Sequence, residues 1–444
     1  MTLQPQPTAG LALAYLVTAT AAFVVAAATV PWLASELAGH YYQPRVLALT
    51  HTVTLGWITL AIMGASYQLV PIVLQRPVWS VRVARLQLAL MLVGVSGMIA
   101  HFFIAEWSGL VWGAGLVMLG IAAHVVNIGM ALRGVERGTL TSRLFAFALA
   151  GVAATAAVGL ALGVDRLVPF IPLGFFARLH AHVHLALLGW ILPMVLGVGA
   201  RVFPIFLQAP APTGWRLRVQ LWGLVAGVPV TVAGVATSTS VLTVAGAIGV
   251  GAAVMGHLAS LVGMARADRR PPLDGALRFV LTGAAALAVA TVMGLGFAFD
   301  LLDGPRLGLA YVALVLGGWI SLTIIGMMLK IVPFLVWYRV YAPLAGRAPV
   351  PTLAELSWPW PERCAYVLLT IGTAALAAAA AAGDVGWIRA AGFVTGAGAL
   401  AFALAVGAPL RHLGRRLGPS PAATPPPRRA TGDRESAMDA MPHG

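Results

Sequence analysis

In the segment "HAHVHLALLGWILPMVLGVGARVFPIFL", His180 to Leu207, a nearly unbroken apolar run follows three histidines set at every second position. The run exceeds the ~20 residues that a helix needs to cross a bilayer. Two other segments align without gaps to its central part, "GWILPMVLGVGARVFPIFL" from Gly189. They are "GWITLAIMGASYQLVPIVL" from Gly56 and "GWISLTIIGMMLKIVPFLV" from Gly318. Each has Gly-Trp-Ile, a second glycine further on and a proline near its end. Self-similarity at a fixed interval signals repeated architecture, and small residues at fixed places let helix backbones approach closely.

The composition extends this reading to the full length. Of 444 residues, 60% are hydrophobic and 9% charged, more apolar surface than a soluble domain can hide. Apolar runs begin near residues 11, 45, 84, 108, 143, 175, 218, 241, 277, 306, 363 and 386. The expected fold is an all-α integral membrane protein with twelve transmembrane helices. The repeated segments fall on its second, sixth and tenth helices, near residues 45–75, 178–208 and 307–337. The expectation is therefore three pseudo-repeated four-helix arcs, forming one membrane domain over residues 1–412. The run from Leu11 to Leu33 has no basic residue ahead of it and reads as a first span rather than a signal peptide. Residues 413–444 are rich in Pro, Arg and Ser and read as a disordered basic tail.

Loops after even-numbered helices carry Arg76, Arg82, Arg133, Arg216, Arg266 and Arg339, whereas the opposite loops hold Glu106, Asp165, Asp300, Asp303 and Asp384. Positive charge stays on the cytoplasmic side, so both termini are expected there, in an inner membrane. The net charge of +14 is thus a topology signal, and no nucleic-acid partner is expected. Gln68, Arg201 and Lys330 occupy one register position of the repeat, where snorkelling to the headgroups is the simplest reading. Cys364 is the only cysteine, which excludes an internal disulfide, a cysteine-ligated cluster and a c-type haem attachment. Any metal centre must rest on histidine or oxygen.

Helices two and six run the same way, so His51, His180, His182 and His184 are expected at one depth, near the outer face. His51 and His184 share a register position, five residues before Gly56 and Gly189; Ala313 stands there in the third copy. A helix advances ~100° per residue, which puts His180 and His184 on one face and His182 on another. Intramembrane ionisable residues are costly and default to function, and imidazole suits iron, copper and zinc. These four histidines are candidate haem ligands, with His180, His182 and His101 as candidate metal ligands. His124 and His257, in the inner half, are secondary candidates: either relics of the repeat or a second site.

"THTVTLGWITLAIMGASYQLVP" and "HVHLALLGW" resemble helices of the large subunit of haem–copper oxidases and nitric oxide reductases. The first is similar to the family's low-spin haem helix, the second to its His-x-His helix. The resemblance implies a twelve-helix fold, one or two b-type haems, and copper as an additional metal. It implies His51 and His184 as axial ligands of a low-spin haem and His182 as the proximal ligand of another. It also implies electron transfer, or oxidoreductase chemistry on a diatomic gas, NO or O2. The electron donor would be cytochrome c, a quinol or a donor subunit. A family of haem- and copper-containing membrane proteins involved in nitric oxide tolerance has a similar organisation. The chain departs from the oxidases: helix ten has no histidine, helix seven has none, and intramembrane acids are scarce. A proton-pumping oxidase is therefore not expected. The competing expectations are a haem or metal-ion transporter or chaperone, and a non-catalytic membrane subunit of a respiratory complex.

Overall fold

The computed structural model describes residues 8–73, 75–133, 135, 139–266 and 273–414. Twelve helices are long and apolar enough to cross a membrane, and no strand occurs among the described residues. They are α1 (Ala9–Leu37), α2 (Pro44–Ile72), α3 (Val81–Phe103), α4 (Trp107–Leu132), α5 (Leu140–Leu167) and α6 (Phe175–Leu207). Then follow α7 (Trp215–Ala236), α8 (Ser240–Arg266), α9 (Gly275–Ala298), α10 (Pro305–Val340), α11 (Pro359–Ala382) and α12 (Val385–Gly414). The chain is thus an all-helical protein of integral-membrane type. The proposed tail lies outside the described residues, apart from Leu413 and Gly414 in the last turn of α12.

Local chemistry starts and stops these helices. Prolines open α2, α10 and α11, where a missing N–H costs nothing. Side-chain caps open others: Ser80 for α3, Glu106 for α4, Thr139 for α5, Asp274 for α9 and Asp384 for α12. Three helices then widen beyond α geometry. Wider π turns span Thr52–Thr59 in α2, Leu185–Ile191 in α6 and Leu314–Ser321 in α10. Each begins four residues before the glycine of its Gly-Trp-Ile segment. In α2 and α6 the π turn follows directly on His51 and His184. Such turns are rare and cluster at functional sites.

The helices that carry the repeated segments form the centre. Trp57 and Trp190 are fully buried there, and the Trp57 indole donates to Ser321 Oγ of α10 at 2.9 Å. Glycines set the closest approaches: a Cβ on Gly151 of α5 would overlap the carbonyl oxygen of Gly189 in α6. At the arginine-rich face, the shared register position has diverged. Lys330 forms an ion pair with Asp274, the cap of α9. Gln68 is buried, and Arg201 is exposed. Only Arg201 is open to solvent or headgroups in the way snorkelling requires, because Lys330 has a carboxylate within reach and Gln68 faces the interior.

Candidate functional site

A cavity of about 270 Å³ lies between α6, α7, α8, α9 and α10. Its polar lining consists of His180, His184, Thr231, Thr243, Thr291 and Tyr311; the rest is mostly Leu, Val, Ala and Gly, with Trp319. Few polar groups on an apolar wall are what a small-molecule or cofactor site requires.

The loop before α6 is built to aim its histidines. Asp165, at the end of α5 and 3% exposed, accepts from the backbone N–H groups of Phe170 and Ile171 at 2.8 and 2.7 Å. Its other oxygen pairs with Arg178 at 2.6 Å, and Arg178 donates to the Ile171 carbonyl at 3.1 Å. Charge-assisted bonds of this kind are the strong ones. They lock the first turn of α6 two residues before His180.

From that turn the three histidines diverge. His180 and His184 both line the cavity, while His182 does not. His184 Nδ1 lies 2.8 Å from the His180 carbonyl. A carbonyl only accepts, so Nδ1 carries the proton and Nε2 keeps its lone pair for the cavity. Metal-ligating histidines are typically oriented in this way. His180 Nε2 is 2.8 Å from the hydroxyl of Tyr41, in the loop between α1 and α2. Burial pushes the Tyr41 phenol up, and whichever atom carries the shared proton, Nε2 of His180 is engaged by this bond. His40 stacks on Tyr41 with 4.3 Å between ring centres, and Phe176 lies beside both.

His182 points to the other side of α6. Its Cε1 would lie 2.8 Å from a Cβ on Gly159 of α5, and its buried Nδ1 has no hydrogen-bond partner. Its electrostatic neighbour is His51. His51 Nδ1 is fixed on the Leu47 carbonyl at 2.7 Å, and its ring stacks on Phe102 of α3, 4.7 Å away. His51, expected to share one iron with His184, does not line the cavity that His184 lines; it is the electrostatic neighbour of His182. The reason is helical geometry: His182 and His184 are two residues apart and so lie on opposite sides of α6.

The remaining candidates do not join these groups. His101 is held in the last turn of α3, with Nδ1 2.7 Å from the Gly97 carbonyl and Nε2 3.6 Å from Glu106. His257 lines a small cavity with Phe203, Val280 and Thr323; Leu287 and Trp319 border both this space and the larger cavity. His124 is fully buried and has no partner at either ring nitrogen. Among the described residues, no three His, Cys, Asp or Glu side chains are grouped to hold a metal ion.

The donor set fits a haem better than a bare metal ion. One oriented imidazole faces a largely apolar space, and the second imidazole on that wall has its Nε2 engaged by Tyr41. Sequence reasoning missed Tyr41, Tyr311 and the threonines of α7, α8 and α9. Tyr41 stood only in a loop beside His40, and nothing in the pattern linked it to a residue 139 positions away. Neither protein-family models nor curated proteins give a match to the chain.

Proposed function

We propose that the protein is a membrane b-type haem protein whose cavity between α6 and α10 holds a haem on His184, with a coordination position free for a diatomic gas. The observation that carries this reading is the orientation of His184, anchored through Nδ1 on the His180 carbonyl with Nε2 toward the cavity. The α10 wall offers Tyr311, Val315 and Trp319 and no imidazole, which favours one protein ligand over two. A bound haem would supply a redox-active iron. The chain's own part is to orient the ligand through the His180 carbonyl, to exclude water with leucine and valine, and to offer hydroxyls from Tyr311, Thr291 and Thr231. His51 and His182, electrostatic neighbours, are the candidate place for a second haem.

The wider reading follows the same lines. The three aligned segments, each with a π turn in the same register, support three four-helix arcs related to the haem–copper oxidase large subunit. The arginine distribution supports cytoplasmic termini and a histidine layer toward the outer face. The reaction class is oxidation or reduction of NO or O2, or electron transfer, with electrons from cytochrome c, a quinol or a donor subunit.

The test is spectroscopic. Wild type, His184→Ala and His51→Ala proteins are purified with haem supplied during expression. Spectra of the reduced forms are then recorded with and without CO. The expected result is a haem band in wild type that shifts with CO. The shift should vanish in His184→Ala and persist in His51→Ala. A protein that takes up no haem, or a CO shift indifferent to His184→Ala, overturns the proposal. The first outcome would move weight to a metal-ion transporter or a haem-free subunit.

A further inference from the structure

The three tryptophans of the aligned segments, Trp57, Trp190 and Trp319, hold equivalent places but not equivalent partners. Trp57 donates to Ser321 Oγ at 2.9 Å. Ser321 stands three residues after Gly318; Thr59 and Leu192 are its counterparts in the other two segments. A threefold arrangement would thus give Trp190 the hydroxyl of Thr59. Yet Trp190, 2% exposed, has no acceptor for its indole N–H. Its ring meets His124 of α4 edge-on instead, with ring centres 6.0 Å apart at 78°. His124 is itself 0% exposed and unpartnered at Nδ1 and Nε2. On its other side stands Tyr67 of α2, at 5.7 Å and 85°.

A neutral imidazole has one N–H and one bare nitrogen, and an indole has one N–H. Leaving such groups dry and unpaired is costly, because each gives up its hydrogen bonds to water without replacement. The neighbours decide what can satisfy them. Tyr67, Gln87 and Asn127, the polar groups linked around His124, are all neutral. An anion there would lack a cation, and a metal cation would face the positive edge of the indole N–H. What remains is a small neutral molecule that both accepts and donates.

We infer that a water molecule bridges Trp190 and His124, accepting from the indole N–H and donating to the bare imidazole nitrogen. It is the innermost member of a polar route from the arginine-rich face. Ser80, the cap of α3, exchanges two hydrogen bonds with the Asn127 side chain, at 2.9 and 2.8 Å. Asn127 donates to the Tyr67 hydroxyl at 3.4 Å, and that hydroxyl donates to Gln87. Beyond Trp190 the backbone contact of Gly151 with Gly189 closes the space between α5 and α6. The site thus exchanges with solvent through the Ser80 end. It does not depend on haem in the cavity beyond α6.

Radiolytic hydroxyl-radical labelling tests this, because bound water generates radicals beside buried side chains. The full-length protein is irradiated in nanodiscs, and modification is read by mass spectrometry at Trp57, Trp190 and His124. Trp57 is the internal control: equally buried, but satisfied by Ser321. Trp190 should react several-fold faster than Trp57, and His124→Phe should bring it down to the Trp57 rate. If His124→Phe does not yield folded protein, Trp190→Phe serves, with the fall read at His124. Equal rates for Trp190 and Trp57 in wild type overturn the inference. So does a fast Trp190 that neither substitution slows at its partner.

Discussion

Tyr41 and His180 are 139 residues apart in the chain, and their side chains meet at 2.8 Å beside the α6–α10 cavity. The contact ties the loop between α1 and α2 to the start of α6, and it engages Nε2 of one of the two imidazoles on that wall. His184 is left as the imidazole free to bind.

Removing the hydroxyl with Tyr41→Phe should cost about 1 kcal/mol, the net worth of one partly buried hydrogen bond. It should also free Nε2 of His180. Diethyl pyrocarbonate labels unprotonated imidazole nitrogens, so its reaction at His180 should speed up several-fold over wild type. An unchanged rate would mean that the phenol does not hold the ring.

The staple of Asp165 and Arg178 should be the most sensitive element near the site. Arg178→Ala leaves the Asp165 carboxylate without its cation and removes the charge-assisted bond that ties the end of α5 to the first turn of α6. Thermal unfolding in detergent should fall accordingly. Amide exchange at Phe170 and Ile171 should rise, because both hydrogen-bond to that carboxylate. Protected amides in the variant would show that the backbone N–H groups suffice.

The cap of α4 should respond to acid. Glu106 accepts from the Ser108 hydroxyl, from Ser108 N at 3.0 Å and from Gly109 N at 2.7 Å. These bonds, led by the Ser108 hydroxyl, hold its carboxyl below the usual range. A depressed folded value stabilises above the unfolded carboxylate value, ~4.3, and the stabilisation is lost as pH falls through the folded one. Exchange of the Ser108 and Gly109 amides should therefore rise below about pH 4. In Glu106→Gln it should be raised already at neutral pH and lose that acid step.

Helix contact at the centre should not tolerate one added methyl group. Gly151→Ala puts a Cβ against the Gly189 carbonyl oxygen. Backbone cannot swing aside as a side chain can, so α5 and α6 must separate. The expected cost is about 1–3 kcal/mol, measured as a lowered melting temperature. Because His182 rests against Gly159 of the same helix, His182 should also become reactive to diethyl pyrocarbonate.

The membrane class, the twelve helices and their approximate starts were legible in the chain, because a bilayer demands ~20 apolar residues per span and tolerates few charges. The split of His180 and His184 from His182 was legible too, since it needs only the rotation per residue. The partner of each histidine was not. Shared register suggested that His51 and His184 converge, but the π turns begin immediately after these residues and the aligned helices face different neighbours. Lys330 read as a snorkelling cation, because the acid that receives it, Asp274, lies 56 positions away.

What the sequence alone determined follows from periodicity and solvation: which segments are helices, which face of a helix a residue takes, and where caps and prolines end a span. The tertiary structure decided what lies across from each face. His184 looks onto an apolar cavity, Tyr41 holds His180, and Trp190 meets His124. Such pairings depend on how twelve rods pack sideways. Lateral packing is set by small residues and close backbone contact over long chain separations, and no local pattern records it.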